Sequence, residues 1–286
     1  MFFARQRSKE VRNFDYQVLW RSSEEYRARP LPRLDHVLRV EDIVVRFGGV
    51  IAVDNVEFVV KPGEILGIVG PNGAGKTTLL NIISGFYKPQ KGRIIFKNRD
   101  ITRLSPAERV RLGIARTFQH SELFTSITVL ENIMSGLEPW RKYSTLAAAL
   151  WSRSTKKWEE WARARAEQVI DLLDLHPYRY HVVGSLPPGV QKRVDLARAL
   201  AQKPELVLMD EPMAGLSREE KEDIARAIVE VNETRGTSFV LVEHDLEVVM
   251  DLCDRVIVMD YGKVIADGLP YEVARNPKVI EAYMGG

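Results

Sequence analysis

Cysteine is nearly absent: the 286 residues contain one, Cys253. An internal disulfide is therefore excluded, and the composition suits a reducing compartment. The neighbours Val249, Met250 and Val256 predict a buried, inert thiol. Long apolar runs are missing too. None approaches the ~18 residues that a membrane-crossing helix needs, so a membrane role would require a spanning partner. An excess of one charge sign is also lacking. With 41 Lys and Arg against 39 Asp and Glu, the formal net charge is +2, and no global field argues for nucleic acid. Met1-Phe2-Phe3 is too short for the apolar core of a secretory leader before charge intervenes, and none is expected. What is present is 45% hydrophobic and 28% charged, an ordinary balance for one large domain or two small ones with a real core.

Residues 1–36 stand apart from the rest. They mix Arg5, Arg7, Lys9, Arg12 and Arg21 with Phe2, Phe3, Phe14, Tyr16 and Trp20, and Pro30 and Pro32 close the segment. Two readings stay open: a poorly ordered extension, or a basic aromatic arm that docks on a partner or an anionic membrane surface. From Val37 the pattern changes. Val37–Val45 and Val53–Val60 alternate with period two and predict antiparallel strands around a turn at Phe47-Gly48-Gly49. Ser105-Pro106-Ala107-Glu108 carries the signals of a helix start. Residues from about 125 to 200 read as an amphipathic helical insert. Apolar strands then recur at Leu206–Met209, Phe239–Val242 and Val256–Met259, separated by helical segments at 218–235 and 245–252. Strands alternating with helices predict an α/β fold with a parallel sheet. The expected organisation is an extension over 1–36 and one folded unit over 37–286.

Within that pattern one loop carries most of the chemistry. Ile65-Leu66-Gly67-Ile68-Val69 reads as a buried strand, and Leu79-Leu80-Asn81-Ile82-Ile83 has helical spacing. Between them lies Gly70-Pro71-Asn72-Gly73-Ala74-Gly75-Lys76-Thr77-Thr78. Its glycines allow successive backbone N–H groups to point at phosphate oxygens, and the helix N-terminus adds its positive dipole end. Lys76 would reach the β- and γ-phosphates, and Thr77 would ligate Mg²⁺. A second element matches the first. Leu206-Val207-Leu208-Met209 runs into Asp210-Glu211-Pro212, so Asp210 can hold the hydration shell of Mg²⁺ and Glu211 can polarise an attacking water. A nucleoside triphosphate and Mg²⁺ are the expected ligands.

With these residues in view, the chain from about 38 to 285 resembles the ATP-binding subunits of ABC transporters. The resemblance implies a P-loop NTPase, RecA-like core with an antiparallel β subdomain and a helical subdomain, with ATP as the nucleotide. Thr117-Phe118-Gln119 resembles the family's Q-loop, which would put Gln119 on Mg²⁺ and the γ-phosphate side. Val242-Glu243-His244-Asp245 resembles the loop whose histidine grips the γ-phosphate. Phe47 stands where the family stacks an aromatic ring on adenine, although it could equally be a core residue. Ala214-Gly215-Leu216-Ser217 takes the place of the D-loop. Arg46-Phe47-Gly48-Gly49, Arg116-Thr117-Phe118-Gln119, Val129-Leu130-Glu131-Asn132 and the tail Asn276–Tyr283 look like importers of the branched-chain amino-acid and urea type. That subtype implies integral-membrane permease subunits, a second, non-identical ATP-binding subunit and, indirectly, a solute-binding protein. The chain would sit peripherally on the cytoplasmic face of the inner membrane. No Asn-Lys-x-Asp motif for guanine is evident.

The sequence departs from the family at one loop. Where the signature Leu-Ser-Gly-Gly-Gln is usual, this chain has Leu186-Pro187-Pro188-Gly189-Val190. The serine that would bond the γ-phosphate of ATP on an opposing subunit is gone, and neither proline has an N–H. The expectation is an asymmetric heterodimer. This chain's own cradle would hydrolyse ATP against a partner's signature loop, and the other site would hold ATP more passively. The alternative is a largely non-hydrolytic, nucleotide-switched subunit. Ser217 and Met213 also depart from the usual residues, and sequence alone offers no account of Met213.

Overall fold

A computed structural model describes residues 35–117, 123–141 and 153–284. The expectation for the N-terminal extension therefore falls, apart from Asp35 and His36, outside the described residues. The elements in chain order are β1 (Leu38–Phe47), β2 (Val50–Val60), β3 (Ile65–Val69), α1 (Lys76–Ser84), β4 (Lys91–Phe96), β5 (Arg99–Asp100), α2 (Pro106–Leu112) and β6 (Ile114–Arg116). They continue with α3 (Val129–Ser135), α4 (Arg153–Leu172), α5 (Pro188–Ala201), β7 (Leu206–Asp210), α6 (Arg218–Arg235), β8 (Ser238–Val242) and α7 (Leu246–Leu252). The chain closes with β9 (Arg255–Asp260), β10 (Lys263–Gly268), α8 (Pro270–Val273) and α9 (Pro277–Met284).

Two sheets form. The first is antiparallel, in the order β2-β1-β4-β5. The second has the order β10-β9-β3-β8-β7-β6; its inner pairings are parallel, while β10 runs antiparallel to β9. The parallel core is as expected, and the antiparallel edge strand has a local cause. The two-residue loop Tyr261-Gly262 has φ of 41° and 78°, the paired positive values of a type I′ hairpin turn.

The strands of the second sheet are apolar on both faces because both faces are covered. On one side Leu66, Ile68, Leu208, Val240 and Ile257 pack with α1 and the antiparallel sheet. On the other, Val69, Val207, Met209, Phe239 and Leu241 pack with a layer built from α3, α4, α5 and α6. At Gly67 the fit leaves no room for a side chain, since an added Cβ would stand 2.9 Å from both Cys253 Sγ and Val249 Cγ1 on the α7 side. Cys253 is buried there, and burial pushes its thiol well above the usual range.

Helix ends follow the sequence signals. Ser105–Glu108, Thr128–Glu131 and Ser217–Glu220 each form a reciprocal capping box at the start of α2, α3 and α6, satisfying otherwise orphaned N–H groups. The C-terminus of α1 is held differently. Arg109, 1% exposed, donates from Nη1 to the carbonyls of Ile82 and Ile83 at 2.7 Å each and from Nη2 to Thr102 O at 2.9 Å. A buried cation therefore meets the negative end of the α1 dipole, and burial lowers its pKa to about 10. No helix among the described residues is long and apolar enough to cross a membrane.

Candidate functional site

Adjacent parallel strands bring their carboxyl ends together, where open α/β sheets form ligand crevices. Ile68 on β3 is in register with Val242 on β8, and Asp210 on β7 pairs with the same Val242. The loops after β3, β7 and β8 therefore open side by side. They carry Gly70–Thr78, Glu211 and Glu243–His244, the first more than a hundred residues before the other two in the chain.

The loop after β3 needs its glycines. Gly70, Gly73 and Gly75 have φ of 152°, 81° and 98°. Gly75 is the N-cap of α1, and a Cβ there would collide with the carbonyl of Ala52 on β2. Lys76 is 5% exposed and donates from Nζ to Gly70 O at 2.7 Å and Pro71 O at 2.9 Å. Burial lowers its pKa, opposed by the charges of Glu211 and Asp210. Pro71, Asn72, Ala74 and Thr78 complete the turn into the helix.

Thr77 Oγ1 donates to Asp210 Oδ1 at 3.3 Å. Asp210 is 1% exposed. Burial raises its pKa, opposed chiefly by Arg116 and by the Thr77 hydrogen bond. This hydroxyl–carboxylate pair is the oxygen set that a hard cation such as Mg²⁺ takes when most other ligands are water and phosphate. Among the described residues no group of three or more His, Cys, Asp or Glu is arranged to hold a metal ion.

Glu211 follows with φ of 48°, a left-handed conformation that is uncommon outside glycine. Its N–H donates to Val242 O at 2.8 Å, and that bond turns its side chain toward the neighbouring loop. There Glu211 Oε1 hydrogen-bonds His244 Nε2. The structure thus joins Glu211 to His244 directly, a pairing that the linear order did not predict. Beneath them lies Glu243, 2% exposed, whose Oε1 accepts from Met213 N–H at 2.9 Å. Burial raises its pKa to about 7. Met213 now has an account. It is 1% exposed in the core beneath the loop, so its bulk fills interior space, and its N–H fixes Glu243.

Phe47 ends β1 with 46% exposure, its ring edge-to-face with Tyr87 at 5.1 Å between centroids. The core alternative for Phe47 is excluded, and the ring pair joins the β1–β2 hairpin, whose Ala52 abuts Gly75, to the segment after α1. Tyr87 had no periodic signal to mark it. Gln119 lies outside the described residues, as do Phe118 and Glu122; Thr117 precedes them, 4% exposed. Beyond that segment, Phe86, Arg116, Phe124, Pro139 and Arg198 line a groove of about 360 Å³.

The departing loop is ordered from within. Pro187 is the N-cap of α5 and Pro188 its first residue, both exposed. The first N–H that α5 can offer is that of Gly189, and it donates to Glu220 Oε1 at 3.1 Å. Gly189 is buried against that carboxylate, and a Cβ on it would collide with Glu220. Ser217 spends its hydroxyl oxygen on the Glu220 N–H at 3.3 Å. Glu220 therefore serves two helix N-termini at once, a link of 31 residues that the sequence did not reveal.

Comparison with known proteins agrees with this geometry. A family profile described as ABC transporter matches residues 53–214, and one described as branched-chain amino acid ATP-binding cassette transporter matches residues 263–286. The chain is 36% identical over 249 residues to the high-affinity branched-chain amino acid transport ATP-binding protein LivG of Escherichia coli (strain K12), covering 87% of this chain and 98% of that protein. It is 38% identical over 256 residues to a probable branched-chain amino acid transport ATP-binding protein LivG of Methanocaldococcus jannaschii, covering 87% and 97%. A crystal structure of a nucleotide-free ATP-binding cassette from an ABC transporter superposes with a TM-score of 0.78 at 36% identity, covering 88% of this chain and all of that one.

Proposed function

The chain belongs to the ABC transporter ATP-binding family, and on that premise we propose that it hydrolyses ATP to drive import of branched-chain amino acids, or a similar small polar solute, through membrane permease subunits. The carrying observation is the convergence of Lys76, the Thr77–Asp210 pair and the Glu211–His244 pair at the ends of three adjacent strands. The loop Gly70–Thr78 cradles the phosphates, and Lys76 directs its charge at them. Phe47 packs on the adenine face. Thr77, Asp210 and Gln119 would hold Mg²⁺, which would supply positive charge against that of the phosphates. Water attacks the γ-phosphorus, its proton passes to Glu211, the bond to the β–γ bridging oxygen breaks and ADP leaves. His244 orients Glu211 and contacts the γ-phosphate. The names of the relatives support the solute class, and a peripheral position on the cytoplasmic face follows from the permease partners. A solute-binding protein would act on the complex only indirectly.

The same reading makes the complex asymmetric. This chain offers a partner two prolines and a Gly189 N–H already committed to Glu220. Its cradle would work with the signature loop of a second, non-identical ATP-binding subunit, while the partner's cradle faces the proline loop and turns over slowly. The proline loop also motivates a second reading, a largely non-hydrolytic subunit that binds ATP as a switch, and the intact Glu211 and His244 weigh against it. Turnover in the complex assembled with permease and second ATPase separates the two. E211Q is expected to lower turnover by about 10²–10⁴-fold, the usual worth of a general base, with ATP binding retained. Full turnover in E211Q, lost only when the equivalent glutamate of the second subunit is changed, would assign hydrolysis to the other site.

A further inference from the structure

One buried cation in the site's floor has no part in the chemistry above. Arg116 ends β6, and its side chain is 8% exposed. Its Nη1 donates to Asn81 Oδ1 at 2.6 Å and Ser84 Oγ at 3.0 Å, both on α1. Its Nη2 donates to Asp210 Oδ2 at 3.3 Å. The guanidinium carbon lies 5.7 Å from the centre of the Phe86 ring, at the groove. The planar fork thus reaches α1, β7 and the groove wall from β6. A lysine, with one charged point on a flexible stem, could not make these bonds together.

The consequence falls on Asp210. One of its oxygens is taken by Arg116 and the other faces Thr77 Oγ1. A carboxylate free to rotate would spend part of its time with neither oxygen toward Thr77. Fixing one oxygen fixes the direction of the other, and organised ligands bind a cation better than mobile ones. We propose that Arg116 is a positioning residue for the metal-binding carboxylate: it orients Asp210 from behind so that the opposite oxygen faces Thr77 and Mg²⁺. The inference rests on the reading of Thr77 and Asp210 as the Mg²⁺ pair.

The test uses the full chain alone and the affinity of a fluorescent ATP analogue, measured in EDTA and across a Mg²⁺ titration, with no turnover required. In R116Q the affinity in EDTA should stay within about twofold, because the loop N–H groups and Lys76 hold the phosphates. The Mg²⁺ concentration giving half of the metal-dependent gain should rise about tenfold, roughly 1.4 kcal/mol, and R116K should recover part of the loss. An unchanged Mg²⁺ dependence would overturn the proposal. So would an equal loss with and without metal, which marks a structural role, or a lowered Mg²⁺ requirement, which marks a competitor for the carboxylate. If R116Q does not fold, the N81A/S84A double variant, which frees Nη1, should shift the Mg²⁺ midpoint the same way by about threefold, and no shift would overturn the proposal. D210N keeps the premise separate: if it retains the wild-type Mg²⁺ dependence, the metal pair itself is wrong.

Discussion

Glu243 sets a pH dependence that can be calculated from its surroundings. The side chain is almost completely enclosed, and the burial of its charged form dominates the hydrogen bonds that its carboxylate accepts from the N–H groups of Met213 and His244. Glu211 and Asp245 push in the same direction as burial, and Lys192 on α5 feels the charge of Glu243 in turn. The native state therefore keeps the proton to about pH 7, against an ordinary 4.5. Between those values the native state binds more protons than the unfolded chain, so this group's contribution to stability falls as pH rises and levels off above pH 7. The rise from 4.5 to about 7 corresponds to about 3 kcal/mol at roughly 1.4 kcal/mol per pH unit. E243Q preserves the shape and the acceptor for Met213 N–H but cannot ionise. Urea unfolding of both proteins at pH 5, 6, 7 and 8 should show the variant gaining on the wild type with pH, by up to about 3 kcal/mol at pH 8. Taking the difference at each pH cancels every other titrating group. A pH-independent difference, or one that shrinks as pH rises, would refute the reasoning.

Three further outcomes follow from buried contacts. R109M removes the guanidinium donor from the carbonyls of Ile82, Ile83 and Thr102, of which Ile82 still accepts from Gly85 N–H, and should cost about 3–5 kcal/mol in thermal or urea unfolding; a loss below about 1 kcal/mol would mean that water replaces the guanidinium. E220A removes the acceptor for the Ser217 and Gly189 N–H groups and should cost about 1–2 kcal/mol, with amide exchange accelerated at both positions; slow exchange at Gly189 would show another acceptor. Cys253, packed behind α7 with its thiol raised well above the usual range, should resist an aromatic disulfide reagent in the native protein and react fully in urea, and fast native labelling would contradict its burial.

Legibility of this fold divides along sequence distance. The cradle was readable because all of its determinants are contiguous: an apolar strand, the glycines that tolerate positive φ, and the lysine and threonine opening a helix. The three capping boxes each join residues three apart, so they too are local, although Thr128 and Ser217 lie among motifs that draw attention for other reasons. The alternation of strands and helices announced the sheet, but the antiparallel edge depended on the two-residue Tyr261-Gly262 turn, whose first residue is an atypical occupant of positive φ. The contacts that complete the site span long stretches of chain. Arg116 meets Asp210 across 94 residues, Glu211 meets His244 across 33, and Met213 meets Glu243 across 30. No periodicity encodes such pairs. They arise only once β6, β7 and β8 lie side by side.

That neighbourhood also bears on the proposed asymmetry, in which the departing loop would act on a partner rather than on the chain itself. Asp210 ends β7, Glu211 follows it, and Glu243 and His244 follow β8, while Pro187 and Pro188 open α5. The capping carboxylate of α6 is what reaches α5. The Ser217–Glu220 box begins α6 seven residues after Asp210, and the same Glu220 closes the first N–H of α5. An anion fixed at a helix N-terminus satisfies the donor and repels a second anion from it. A phosphate approaching this face from another subunit would meet a negative charge as well as missing donors, while a nucleotide in this chain's own cradle would meet neither. Proline substitution and carboxylate capping would therefore act in the same direction on one surface, which is how the two halves of a nucleotide site would diverge within one chain under the proposed asymmetry.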